Sequence, residues 1–184
     1  MRRCSTLVSR IPEEGVSVLE SDRLSLSRLS YDDCEFIFEL VNEPSFRQYI
    51  GDKGISNLQD AREYLKKSFI GHYQKHGFGL YQVIRKTDDC PLGICGLVKR
   101  DEFDYPDLGF AFMKAYWSNG YAYESSVAVL DYAWRDLGLK RIIAMADSEN
   151  QSSTRLLDRL GFEFEGMARM PGETEDVRLY AIER

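Results

Sequence analysis

YWSNGYAYES, residues 116–125, sets a single glycine among bulky aromatics and runs directly into a stretch that reads as helix. A glycine at such a junction either lets the chain turn tightly or lets something approach the backbone closely. Upstream, YPDLGFAFM (105–113) is short and rich in apolar and aromatic residues, as a strand should be. Downstream, YESSVAVLDYAWRDLG carries Val127, Leu130 and Trp134 at helical spacing, and Gly138 stands where a terminating glycine belongs. RIIAMA (141–146) then fits a buried strand. The unit is strand, helix, strand, which implies a parallel pair and an α/β fold.

The rest of the chain extends this unit on both sides. RLSLSRL (23–29) alternates at period two and predicts a strand. A helix should follow, with Ser30 as cap, Asp32 and Asp33 in its first turn, and Phe36, Ile37, Leu40 and Val41 as its apolar stripe, ending at Pro44. A second helix is predicted over 56–74, capped by Ser56, with Leu58, Ala61, Leu65 and Phe69 on one face. FGLYQVIRK (78–86) and PLGICGLVKR (91–100), separated by turn residues, complete an antiparallel meander with 105–113. After 146, NQSSTRLLDRLG (150–161) repeats the helix logic with Asn150 at the cap, Leu156, Leu157 and Leu160 apolar, and Gly161 as terminator. Two strands, 162–169 and 174–183, flank a turn at Pro171 and Gly172. The order is β-α-α-β-β-β-α-β-α-β-β, a mixed sheet of about seven strands with residues 1–20 as an N-terminal extension and 21–184 as the domain.

Composition narrows the function classes. At 184 residues and 43% hydrophobic, the chain suits one domain with a real core. No apolar run nears the roughly 20 residues of a membrane span, and MRRCSTLVSRIPEEG lacks the apolar segment of an export signal, so a soluble cytoplasmic protein is expected. Cys4, Cys34, Cys90 and Cys95 form no CxxC pair, and with only His72 and His76 beside them no zinc spacing can be built. No metal is expected. A net charge of −6 speaks against general nucleic-acid affinity.

At the 116–125 junction, the first turn of a helix offers unpaired N–H groups and a positive dipole end, and Gly120 and Ala122 are small enough to admit an anion. Neither GxxxxGK[ST] nor GxGxxG occurs in the chain. Across the segment Asp107, Gly109, Phe110, Trp117, Gly120, Tyr121, Ala122, Glu124, Asn150, Ser153, Gly161 and Phe162 stand in an ordered pattern. In these residues the chain over 107–166 resembles the GCN5-related N-acetyltransferases (GNAT), in the branch of ribosomal-protein alanine acetyltransferases (RimJ/RimL-like).

The resemblance implies a GNAT fold with a V-shaped opening between the fourth and fifth strands of that order, holding acetyl-CoA as cosubstrate. Its pyrophosphate would lie on the amides of Ser118, Asn119, Gly120, Tyr121 and Ala122, beside Trp117, and its pantetheine arm would pair with the backbone of Phe110, Ala111 and Phe112. Ser118 replaces the usual glycine; serine and asparagine both tolerate turns, and Asn119 is the readier of the two to take positive φ. A branched residue at 120 is expected to weaken acetyl-CoA binding far more than stability. Leu157 stands where many family members carry a proton-donating tyrosine. Transfer to an amine then needs another acid and an oxyanion donor. The resemblance points to Ser153 as the acid, Asn150 as a pantetheine or water ligand and the Phe112 amide as the donor, against backbone bonding by Ser153 and simple capping by Asn150. Asp107 is preferred as base over Glu102 and Asp104, which read as solvated turn carboxylates. Glu124 reads as a helix-dipole partner, and His72 and His76 as surface histidines. Trp117 packs or walls the acceptor pocket. The expected activity is N-acetylation of a protein N-terminus or small amine by a monomer or homodimer. A CoA-binding regulatory domain without turnover, or a nucleotide-binding module using the same loop, are the other classes.

Overall fold

The computed structural model describes residues 17–169 and 176–184. The expected turn at Pro171 and Gly172, and residues 1–16 of the expected extension, lie outside them. Among the described residues, eight strands form one sheet in the order β1-β2-β3-β4-β5-β6-β8-β7. They are β1 (Ser17–Glu20), β2 (Leu24–Ser27), β3 (Leu80–Arg85), β4 (Cys90–Val98), β5 (Asp107–Phe112), β6 (Arg141–Ala146), β7 (Glu163–Arg169) and β8 (Asp176–Glu183). The extra strand relative to the seven expected is β1, which pairs antiparallel with β2. Its four residues fall within the expected N-terminal extension, because so short a strand leaves no visible period.

The helices are α1 (Cys34–Asn42), α2 (Pro44–Ile50), α3 (Leu58–Tyr64), α4 (Gly71–His76), α5 (Tyr121–Arg135) and α6 (Gln151–Leu160). Pro44 ends α1 as expected but also opens α2, where its missing N–H is harmless at the first helical position. The single helix expected over 56–74 is divided: α3 passes into a π-helical stretch, Leu65–Ile70, before α4. Its cap is Asn57, whose side chain accepts from the Asp60 amide, rather than Ser56. Leu58 and Val127, expected on buried faces, are exposed. On α5 the buried face runs instead through Ser125, Ser126, Val129, Leu130 and Ala133, because the small serines allow close approach to the sheet.

The helices lie on both faces of the sheet. The Cys95 thiol on β4 meets the Ser126 hydroxyl of α5 at 3.6 Å, so the face of Tyr81 and Cys95 is covered by α5. Gln82, one residue along from Tyr81 and therefore on the opposite face, donates to Asp33 at the start of α1. The core between these layers includes Leu24, Leu26, Ile37, Leu40, Leu65, Val83, Leu97, Leu108, Val129 and Ile142, each at most 2% exposed. Burying a side chain of that size contributes about 1.5–3 kcal/mol. Among the described residues no helix is long and apolar enough to cross a membrane.

The feature that positions the site is the junction of the meander with the second half of the sheet. β5 and β6 are parallel and share one paired position, Asp107 with Ile143. Beyond it the strands part, so the sheet opens into a V towards their C-terminal ends. From those ends the chain enters α5 and α6, which places the starts of both helices at the mouth of the V.

Candidate active site

One wall of the V is the unpaired edge of β5. The Met113 amide donates to Leu92 of β4, whereas the Pro106 carbonyl accepts from the Ile143 amide of β6. Backbone groups of a strand alternate between its two edges, so Phe110 and Phe112 turn their polar groups away from β4, into the V. The Phe112 carbonyl is engaged by the Trp117 indole N–H at 2.8 Å. That leaves both polar groups of Phe110 and the Phe112 amide facing the opening. Trp117 thus fastens the end of β5 to the following turn, a role its sequence position did not reveal.

At the apex stands Asp107, 3% exposed. Its Oδ2 accepts from Arg100 Nε at 2.9 Å, and the carboxylate also accepts from the Met145 amide of β6. A side chain therefore takes a bond that continued strand pairing would supply, and the sheet parts at that point. Burial pushes the Asp107 carboxyl above its ordinary range, with the Arg100 guanidinium opposing. Glu102 and Asp104 are exposed.

The phosphate-loop candidate begins with a 3-10 turn over Lys114–Tyr116 and ends at Gly120, the residue before α5. Gly120 has φ +79°, and a Cβ there would meet only Arg23 Nη2, at 3.5 Å. Backbone conformation is thus the first reason for glycine. Positive φ also falls on Ser118, at 63°, and not on Asn119. The Asn119 side chain instead donates to the Tyr116 and Trp117 carbonyls at 3.1 and 3.0 Å. These two bonds brace the turn that holds Ser118 in a conformation costly for a residue with a Cβ.

Among the described residues the amides of Ser118 to Tyr123 have no hydrogen-bond partner, the first engaged one being Glu124 N–H, which donates to Gly120. Six consecutive free donors, at the positive end of a 15-residue helix, form a candidate anion cradle. Phe110 and Phe112 on β5, and Ser118, Asn119, Gly120, Tyr121 and Ala122 in the loop, present free backbone groups in two stretches separated by engaged amides at Met113, Tyr116 and Trp117; Ala111, expected among them, pairs with Ile94 and turns its backbone to β4 instead of into the V.

Two neighbours of the cradle were not read from the sequence in their true roles. Glu124 does more than face the helix dipole: its carboxylate accepts from the Ser21 hydroxyl at 2.6 Å, the Arg23 amide at 2.8 Å and Arg23 Nε at 2.6 Å. Burial raises its carboxyl, but these donors outweigh it and hold Glu124 below the ordinary carboxylate range. Arg23 also donates to the Asn119 carbonyl at 3.2 Å and lies over the Tyr121 ring. A pairing across about a hundred residues leaves no local signal.

On the other side of the mouth, the Asn150 side chain caps α6 by accepting from the Ser153 amide at 3.0 Å. Capping uses its oxygen, and its amide group has no partner among the described residues. The Ser153 hydroxyl is partly exposed and likewise makes no bond to backbone, so it is not occupied as a backbone-bonded helix serine. Leu157, 1% exposed, is a core residue. His72 corrects the expectation of a surface histidine: its Nε2 accepts from the Lys99 amide at 3.2 Å, and burial, with His76 and Lys75 nearby, lowers its pKa to about 4.

Residues 23–163 match the family described as "Acetyltransferase (GNAT) domain". The chain is 28% identical over 170 residues to a Bacillus subtilis (strain 168) protein named "Uncharacterized N-acetyltransferase YoaA", covering 90% of this chain and 96% of that one. A GNAT-family acetyltransferase structure from Bacillus anthracis superposes with a TM-score of 0.75 at 25% identity, covering 90% of this chain and 97% of the other. RimL, a ribosomal L7/L12 alpha-N-protein acetyltransferase solved with coenzyme A, shares the fold with a TM-score of 0.76 at 18% identity, covering 89% and 95%. An opened sheet, a free strand edge and an anion cradle at its end thus coincide with a family match over most of the chain, and the protein belongs to the GNAT acetyltransferases.

Proposed function

We propose that this acetyltransferase moves the acetyl group of acetyl-CoA directly to a primary amine, a protein N-terminus or a small amine, in the manner of the RimJ/RimL-like branch. The observation that carries this reading is a pair of donor stretches among the described residues: the free edge of β5 and, beyond the turn at Lys114–Tyr116, six unpartnered amides. A pantetheine arm carries amides that can pair with such an edge, and a pyrophosphate matches the cradle. The name borne by RimL, an enzyme of protein N-termini, supports the acceptor class.

In this mechanism the Phe112 amide donates to the thioester oxygen and stabilises the negative charge that gathers there as the amine attacks. The amine nitrogen bonds to the carbonyl carbon, giving a tetrahedral intermediate, and the C–S bond then breaks. Ser153 delivers a proton to the departing thiolate, and Asp107 accepts the amine's proton through water. Asn150, with its oxygen committed to the cap, orients the pantetheine through its free amide group. Arg100 and the Met145 amide keep the Asp107 carboxylate in place at the apex.

The test is release of free thiol from acetyl-CoA in the presence of a panel of N-terminal peptides, small amines and aminoglycosides. Amine-stimulated release that falls on Ser153→Ala and on Asp107→Asn is the expected result. CoA binding without amine-stimulated release would identify a binding-only domain, and preferential binding of ATP or NAD in competition calorimetry would identify a nucleotide module.

A further inference from the structure

The latch between Arg23 and Glu124 raises a question that the transfer chemistry does not answer. Glu124 is an acidic side chain in the first turn of α5, immediately after the six free amides. An unpaired carboxylate there would repel any phosphate settling on the cradle. Its oxygens are instead occupied by Ser21 and by the backbone and guanidinium of Arg23. The same guanidinium reaches the loop itself: Nη1 bonds the Asn119 carbonyl, Nη2 lies beside Gly120, and the plane covers the Tyr121 ring at 4.7 Å. The Arg23 side chain is 49% exposed, so this is not a core ion pair.

We propose that Arg23 is a positioning residue for the phosphates of the cosubstrate. It fixes the 118–121 loop with its amides free and cancels the charge of Glu124, so that the pyrophosphate meets a cradle with no net repulsion. The inference rests on the acetyl-CoA reading above. Arginine suits the task because its planar fork can bond a carboxylate and a carbonyl together while stacking on a ring. It arrives from the turn between β1 and β2, which ties the N-terminal strands to a helix about a hundred residues away.

The experiment compares donors with and without phosphates. With wild-type protein, acetyl-CoA and S-acetylpantetheine are both assayed, and CoA and 3′-dephospho-CoA are measured by calorimetry. Failure of the wild type to bind CoA would sink the acetyl-CoA reading itself. Given wild-type binding, Arg23→Met should raise the KM for acetyl-CoA about tenfold or more, with kcat held and with kcat/KM for S-acetylpantetheine unchanged. CoA and 3′-dephospho-CoA should weaken equally, because both carry the pyrophosphate. Arg23→Lys should recover part of the loss by restoring the charge, and it serves in place of Arg23→Met if that variant does not fold. Adding Glu124→Gln to Arg23→Met should also recover affinity, since the uncompensated carboxylate is then gone. Equal loss on S-acetylpantetheine would make Arg23 a structural residue only, and a loss confined to CoA would place it on the 3′-phosphate; either overturns the proposal, as does an absence of recovery in the double variant.

Discussion

The loop before α5 contains two positive-φ residues, Ser118 and Gly120, and they respond in opposite directions to opposite substitutions. Gly120→Ala places a Cβ on a backbone at φ +79°. The left-handed conformation costs an L-residue about 1–2 kcal/mol, and the stiffer unfolded chain returns about 0.4–1. The new methyl meets only Arg23 Nη2, at ordinary contact distance, so no clash adds to this, and the net loss is about 1 kcal/mol. In a domain of this length that lowers Tm by about 2–4 °C. Ser118→Gly reverses both contributions and should raise stability by up to about 1 kcal/mol. Thermal melts and CoA calorimetry on both variants are the assays. Gly120→Ala should lose CoA affinity along with stability, because the amides it carries are moved as the backbone relaxes. That differs from the expectation drawn from the sequence, in which a branched side chain at 120 obstructs the phosphate and costs affinity far more than stability. Melting temperatures that move in the same direction for both variants, or a Gly120→Ala protein as stable as wild type, would refute the conformational account.

Ser153→Ala should lower kcat by roughly 10²-fold or more if the hydroxyl is the acid, with CoA affinity little changed; burst kinetics with a panel amine would show it, and an unaltered kcat would exclude the role. Asp107→Asn can still accept from the Met145 amide, so a base role predicts that kcat/KM falls and its acid limb disappears from the pH profile, whereas a purely architectural role predicts a loss of stability with the profile intact. Acidification should destabilise the protein through His72, whose folded pKa of about 4 lies below the 6.5 of an unperturbed imidazole. The folded state binds fewer protons, so this contribution is complete above about pH 6.5 and is lost as the pH falls towards 4. At about 1.36 kcal/mol per pKa unit that is about 3 kcal/mol, which screening of a partly exposed ring reduces to about 1–2. Urea titrations at pH 7 and 4.5 should show a smaller acid loss for His72→Gln than for wild type, and an equal loss would discard the assignment.

Local chemistry made much of the fold legible. The run at 141–146 coincides with β6, and α6 ends at Gly161, in the left-handed conformation that only glycine takes cheaply. A strand, a glycine loop and an amphipathic helix in succession suggested an anion site, because a helix start presents free donors wherever it occurs, and the family pattern around it turned that into the expectation of a CoA pyrophosphate loop. Other features depended on partners remote in the chain. The four residues of β1 become a strand only by pairing with β2, and the π-helical turn at Leu65–Ile70, in which Leu65 and Phe69 are buried, carries no local sequence signal. The opening of the sheet is likewise tertiary, since strand pairing between β5 and β6 stops where the Asp107 carboxylate takes the Met145 amide. By itself the sequence determined the order of the elements from β2 to β8, apart from α2 and the division of the second helix, together with the loop's composition and the family pattern, because periodicity, caps and glycines act over a few residues. Only the tertiary structure decided that Asp107 is buried, that Ser118 takes the positive φ while Asn119 braces it, and that Arg23 pairs with Glu124. Each of these is a balance of burial, charge and backbone strain between groups that meet only once the chain has folded.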